Sequence, residues 1–247
     1  MPSKTMKIMQ NLSAGRINMI ETNIGTIEVP TLKIAIDGPA SAGKTTLAKN
    51  LTKTFPIVCV DTGALYRAVA YGILDSGADI YNKKQLEDYL GQIDVFVEFE
   101  DGKQHTYFNG FCVDDYIRTN EISQMASKAS AISAVREFLL GLQQETAEKY
   151  NVVMEGRDIG SVVLPNADIK IFLTATPECR AKRRALELGM DYEVIQNDIA
   201  ERDKRDSTRA IAPLQIQKDH IVIDTTSLSI NEVTQTISNI INLHLGR

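Results

Sequence analysis

From Leu32 onward, short apolar runs alternate with longer amphipathic stretches. Leu32-Lys33-Ile34-Ala35-Ile36-Asp37 is apolar, short and β-branched, which predicts a strand. A glycine-rich turn follows, and Lys44–Leu51 has helical spacing. Ile57–Val60, ending at Asp61, predicts a second strand, and a helix is expected from about Gly63 to Gly72. Further strands are expected at Val152–Met154, Ile169–Leu173 and Ile221–Asp224, with helical stretches over about 119–149, 177–208 and 230–243. Strands that alternate with helices predict a parallel sheet covered on both faces. Five core strands are expected in one domain.

Two regions depart from this rhythm. Between about Ile93 and Val113 the apolar runs are short and separated by Asp101-Gly102 and Asn109-Gly110, strong hairpin signals that predict a small antiparallel meander. Residues 1–30 are weakly patterned and form an N-terminal extension, which can supply an edge strand or stay unstructured.

Composition adds little against this picture. The chain of 247 residues is 43% apolar and 24% charged, ordinary for a soluble globular protein. No apolar run is long enough to span a bilayer, and no apolar segment ending in a small-residue cleavage site occurs near the N-terminus. A cytoplasmic protein without membrane partners is expected. The formal net charge of −5 argues against a nucleic acid polymer as partner. Cys59, Cys112 and Cys179 are odd in number and far apart, with neither paired zinc spacing nor a disulfide framework, so all three are expected as small buried apolar residues.

The chemistry is concentrated at a few positions. Gly38-Pro39-Ala40-Ser41-Ala42-Gly43-Lys44-Thr45 matches G-x-x-x-x-G-K-[ST] between a predicted strand and a predicted helix. Such a loop cradles phosphates with backbone N–H groups at a helix N-terminus. Lys44 can reach the β and γ phosphates of a nucleoside triphosphate, the Thr45 hydroxyl can ligate magnesium, and Thr46 can add a phosphate contact. ATP and Mg2+ are therefore the expected donor and ion. The Asn-Lys-x-Asp run that would select guanine is absent.

Other candidates lie at the carboxyl ends of the strands, which share one crevice in a parallel sheet. Thr62 can cap the following helix or bind ligand. Arg67 is a phosphate-binding guanidinium or a plain surface arginine. Glu155 ends a strand and can organise magnesium or its water shell. Arg157 and Asp158, directly after it, either serve an acceptor or close a turn with an internal salt bridge. Between Glu178 and Arg209 there are eight basic and eight acidic residues. Arg202, Asp206 and Arg209 share one helical face there. That face is either a salt-bridged surface or a lid whose arginines neutralise a transferred phosphoryl group.

Taken together, these segments resemble bacterial cytidylate kinases. The resemblance rests on Ile36-Asp37-Gly38-Pro39 with the phosphate loop after it, Asp61–Arg67, Ile117-Arg118-Thr119, Val135-Arg136-Glu137, Glu155–Gly160, Glu201–Asp206 through Arg209–Leu214, and Asp224–Ile230, and it covers about 32–245. It implies a three-layer α/β P-loop nucleoside monophosphate kinase fold with a five-stranded parallel core sheet over residues 31–247. It also implies a monophosphate-binding insert at about 91–115 and a helical lid at about 178–210. The implied reaction is ATP plus CMP or dCMP giving ADP plus the diphosphate, in a monomer. By the same resemblance Thr62, more often serine in the family, contacts the acceptor, and Arg67 holds its phosphate. Ser127 and Arg136 read the cytosine edge, while Arg157 binds phosphate with Asp158 beside it. Asp206 accepts from sugar hydroxyls, and Arg202 and Arg209 act from the lid. Uracil reverses cytosine's donor and acceptor pattern, so UMP is expected to be the poorer acceptor. Two other readings stay open on the residues alone: another P-loop kinase acting on a small metabolite, and a nucleotide-binding protein without catalysis.

Overall fold

The computed structural model describes Ile20–Thr22, Gly25–Ile27 and residues 32–246. Its centre is a five-stranded, wholly parallel sheet of β3 (Lys33–Asp37), β4 (Val58–Asp61), β8 (Val152–Gly156), β9 (Ile169–Thr174) and β10 (Ile221–Asp224). The spatial order is β10-β9-β3-β8-β4. β3 is central, so the phosphate loop leaves the sheet between the strand ends of β8 and β9.

Side chains on successive strand residues point to opposite faces, and the core follows that alternation. Ile34, Ile36, Cys59 and Val153 enter one layer with α1 (Lys44–Leu51) and α8 (Ile230–His244). Ala35, Val58, Val60, Val152 and Met154 face the other layer. There they meet α5 (Ser133–Lys149), through Ala147, and a π-helical turn at Ile159–Val163. A second core joins α2 (Thr62–Ser76), α3 (Lys83–Leu90) and α4 (Asn120–Ala129). This core also packs the three-stranded antiparallel sheet β5 (Val95–Glu100), β6 (Lys103–Phe108) and β7 (Phe111–Cys112). The helical pair α6 (Pro177–Leu188) and α7 (Tyr192–Thr208) has only a small core of its own, Ala181, Ile195 and Ile199.

The observed elements refine the expected ones. The stretch at 119–149 is two helices, broken at Ser130–Ile132, and the charged stretch is divided at Gly189, which adopts φ +65°. A left-handed glycine ends a helix without steric cost. Within the N-terminal extension, β1 (Ile20–Thr22) and β2 (Gly25–Ile27) pair antiparallel with each other and add no edge strand to the main sheet. The rest of the extension lies outside the described residues. Of the cysteines, Cys59 alone is buried; Cys112 and Cys179 are half-exposed, so the expectation of three core residues is corrected.

Candidate active site

The carboxyl ends of β3, β4 and β8 open into a cleft of about 690 Å³, closed on the far side by α4, α6 and α7. Nine cationic side chains line it against five carboxylates, in a chain whose net charge is −5. Concentrating positive charge in one concavity of an acidic protein suits anionic ligands.

The loop from Gly38 to Gly43 bends where few residues can. Gly38 sits at φ +147° and Gly43 at φ +97°, and Ser41 takes φ +60°. A Cβ on Gly38 would stand 2.1 Å from the Leu173 carbonyl oxygen, so the loop's start tolerates no side chain. The loop is held from behind: Thr225 donates its hydroxyl to the Ala42 carbonyl at 3.1 Å, and Arg180 reaches the Ala40 carbonyl at 3.4 Å. Ala40, Ser41, Gly43, Lys44, Thr45 and Thr46 line the cleft. The Gly38 and Pro39 carbonyls accept hydrogen bonds from Lys44 Nζ at 2.8 and 2.7 Å, curling the ammonium back over the loop. Burial, then the neighbouring Arg157, lowers the Lys44 pKa to about 7.

Opposite Lys44, the Glu155 carboxyl is hydrogen-bonded by Thr45 and raised to about 7, by burial first and then by Asp61. Its Oε1 is buried with no hydrogen-bond partner among the described residues. A hydroxyl and an under-satisfied carboxylate, with a second carboxylate behind, are hard oxygen donors of the kind that magnesium and its water shell take. The same geometry has a stability consequence. A carboxyl whose folded pKa exceeds its ordinary 4.5 loses stability as pH rises from 4.5 through 7. Glu155→Gln should therefore raise the melting free energy above pH 7 by about 1–3 kcal/mol, and the gap should close near pH 4.5. Melting curves at pH 4.5 and 8 check this; a gap that does not depend on pH contradicts it.

In the wall formed by α2, the helix is capped by Asp61, whose carboxylate accepts the Ala64 N–H at 3.0 Å. The capping role considered for Thr62 is thus taken by its neighbour. Thr62 instead donates its hydroxyl to the Glu155 carbonyl at 2.6 Å, inside the cleft wall. Arg67 pairs with Asp61 at 2.8 Å, and its Nε has no hydrogen-bond partner among the described residues. Ser127 lies on the cleft with its hydroxyl buried and without a hydrogen-bond partner among the described residues.

Arg157 and Asp158 do not pair with each other, which corrects the internal salt bridge considered above. Arg157 donates Nε to Asp206 at 2.7 Å. Asp158 is bonded on one oxygen by Arg136 and on the other by Arg209, at 3.1 Å to the latter. Asp206, Arg202 and Arg209 come from α7 and its carboxyl end, so this network ties the helical pair to the strand-end loop. Arg202 has a buried Nε without a hydrogen-bond partner among the described residues, and burial followed by Arg157 lowers its pKa to about 9. Lys44, Arg157 and Arg202 crowd one another enough that Arg157 lowers the pKa of the other two, and such a cluster favours a polyanion between them.

Several contributors were given no site role from the sequence. Asp37, at the end of β3, accepts the Ile159 and Gly160 N–H groups at 2.7 and 2.8 Å. It thereby fastens the loop bearing Arg157 and Asp158 to the strand that bears the phosphate loop. Both N–H groups lie in the first turn of the Ile159–Val163 segment, where a helix leaves its N–H groups without internal partners. Arg118, Arg183 and Arg184 also line the cleft. Arg118 lies in a segment that carries the family resemblance, whereas Arg183 and Arg184 are placed by long-range packing that no local pattern reveals.

Comparison with known proteins places this cleft in a family. The cytidylate kinase family model matches residues 34–243. The cytidylate kinase of Caldicellulosiruptor bescii is 46% identical over 211 residues, covering 83% of this chain and 93% of that protein. Its counterpart in Bacillus subtilis is 46% identical over 212 residues, covering 83% and 94%. That of Shouchella clausii is 43% identical over 216 residues, covering 85% and 96%. With the family's pattern matched from β3 to α8, the chain belongs to the cytidylate kinase family.

Proposed function

We propose that the chain transfers the γ-phosphoryl group of ATP to CMP or dCMP, giving ADP and CDP or dCDP. The observation that carries this reading is the junction of two anion sites in one cleft. A phosphate loop with Lys44 lies on one side, and Arg67, Arg157, Arg202 and Arg209 lie on the other. Family membership supplies the cytosine.

The chemistry follows from what these residues offer. ATP lays its triphosphate along the Gly38–Gly43 backbone at the N-terminus of α1. Lys44 leaves the Gly38 and Pro39 carbonyls for the β and γ phosphates, and Thr46 adds a contact. Thr45 and Glu155 would hold the magnesium ion, which neutralises phosphate charge when bound. The acceptor phosphate sits between Arg67 and Arg157, with Thr62 beside it. Ser127 and Arg136 face the cytosine edge, Arg136 being fixed by Asp158, and Asp206 takes the sugar hydroxyls. Phosphoryl transfer needs positioning and electrostatics more than covalent help from the protein. Arg157, Arg202 and Arg209 neutralise the moving charge. The pair α6–α7, over about 178–210, is the lid, and its small core suits an element that opens locally. The meander at about 91–115 is the acceptor-side insert. All these groups come from one chain, so the site is complete without a partner subunit and a monomer suffices for the reaction. The described helices include none long and apolar enough to cross a membrane, and the cytoplasm, where its substrates are, is its place.

The test compares ADP formation from ATP alone with that from ATP plus CMP, dCMP, AMP or shikimate. Strong dependence on CMP or dCMP supports the reading, and equal rates with shikimate support the small-metabolite alternative. ATP binding with no acceptor-dependent ADP would leave a non-catalytic nucleotide binder. Asp37→Asn removes one of two acceptor oxygens beneath the Ile159 and Gly160 N–H groups, at a cost of about 1–3 kcal/mol. It should raise KM for CMP severalfold and leave KM for ATP within about twofold. Equal changes in both constants would count against a role in placing the acceptor loop.

A further inference from the structure

Strand β6 buries Thr106 and turns His105 and Tyr107 to the opposite, half-exposed face. Register places Cys112 of β7 beside Tyr107, on that same face. After the buried Val113, Asp114 returns beside them. Its Oδ1 accepts the Thr106 N–H at 2.9 Å, and its Oδ2 lies 3.0 Å from His105 Nδ1. One ligand atom each from His105, Cys112 and Asp114 falls within 4.8 Å of the others. None of the three lines the nucleotide cleft.

We propose that His105, Cys112 and Asp114 form a second metal site, for a divalent transition ion of the zinc type, distinct from the magnesium position at Thr45 and Glu155. Three points support it. The donors are one imidazole nitrogen, one sulfur and one oxygen, a set that suits zinc or cobalt and not magnesium, which takes oxygens. Metal–ligand bonds of about 2.0–2.3 Å place tetrahedral ligands about 3.3–3.8 Å apart. The histidine and carboxylate are already near that spacing, and rotation of side chains on a fixed backbone brings in the sulfur. The carboxylate is also oriented by a backbone N–H, the kind of outer contact that holds a ligand in place. On binding, the Cys112 thiol gives its proton to solvent and the thiolate takes the metal. Three protein ligands leave a fourth position for water.

The site would clip β6, β7 and the following loop together. One residue before His105, the Gln104 side chain accepts the Asp61 N–H at 2.8 Å and donates to the Asp61 carbonyl at 3.3 Å. Asp61 in turn pairs with Arg67. The clip thus stands one step from the acceptor wall without being part of it.

The experiment titrates the full chain, stripped with chelator and kept reduced, with Co2+ and then Zn2+ in excess Mg2+. The expected result is one Co2+ per chain, with tetrahedral visible bands and a near-ultraviolet thiolate band that Zn2+ erases. Cys112→Ser should lose the thiolate band, and His105→Gln should weaken binding about tenfold or more. Both variants should keep CMP-dependent turnover, which shows that they fold. In the unmutated chain, Zn2+ should protect Cys112 from alkylation, read by peptide mass spectrometry, while Cys179 stays unprotected. That readout holds even if a variant fails to fold. No saturable binding below about 1 mM, an unchanged thiolate band in Cys112→Ser, or alkylation of Cys112 at the same rate with and without Zn2+ would each overturn the proposal.

Discussion

Lys44→Ala lowers kcat for phosphoryl transfer by about 10³-fold or more while the protein stays folded. The ammonium is the sole cation rooted in the phosphate loop itself, and its position at the start of α1 is dictated by the turn at Gly43. In the ligand-free cleft it is a costly group. Its pKa is lowered to about 7, by burial first and then by Arg157. A lysine with a folded pKa below its ordinary 10.5 disfavours the fold at low pH, and stability is recovered as pH rises from 7 to 10.5. Alanine removes that cost together with the hydrogen bonds to Gly38 and Pro39, so the melting temperature should move little at neutral pH. Triphosphate binding reverses the balance, because the charged form is then favoured. ATP binding between about pH 7 and 9 should accordingly take up a proton, which calorimetry in buffers of different ionisation enthalpy measures. Turnover near that of the unmutated enzyme would sink the assignment.

Arg157→Ala should cost about 10²–10³-fold in kcat and also raise KM for the acceptor. Arg157 stands where the two halves of the site meet. It adds to the lowering of the Lys44 and Arg202 pKa values and donates to Asp206 at 2.7 Å. Removing it strands a buried carboxylate on α7, so the helical pair should lose order as well as charge. Arg157→Lys separates the two effects: a lysine keeps a charge near Asp206 but cannot present a planar fork to phosphate and carboxylate together. The lysine variant should restore the melting temperature and regain only part of kcat. Steady-state kinetics with both substrates varied, alongside thermal melts, decides. Full recovery of kcat by lysine would show that geometry at this position is unimportant.

The parts of this molecule that were legible in the sequence are those with dense local signals. β3, β8 and β9 are short apolar runs with both faces buried, and the phosphate loop is spelled out residue by residue. α3 escaped because only Leu86 and Leu90 of its eight residues are buried, too few to set a period. The breaks inside the two long helical stretches escaped for a different reason. Gly189 followed by Asp191 is a stop and a start. The surrounding charges keep helical spacing across it. Partnerships were the least legible. Arg157 pairs 49 residues away and Asp158 pairs 22 and 51 away. Adjacent opposite charges suggest a bond between themselves, and only the fold shows that each turns elsewhere. Ser127 and Arg136 are ordinary residues until packing brings them to the cleft, and both were reached through the family resemblance; Asp37 acts from beneath the strand-end loop, through the Ile159 and Gly160 N–H groups.

The most direct measurement is a single competition. ATP is offered to the enzyme with equimolar CMP and UMP, and early products are separated. The proposed placement of Ser127 and Arg136 at the base edge favours cytosine, and a CDP to UDP ratio above about 10 is expected, corresponding to about 1.4 kcal/mol of discrimination. A ratio near one, or ADP formed at the same rate with no acceptor present, would contradict it.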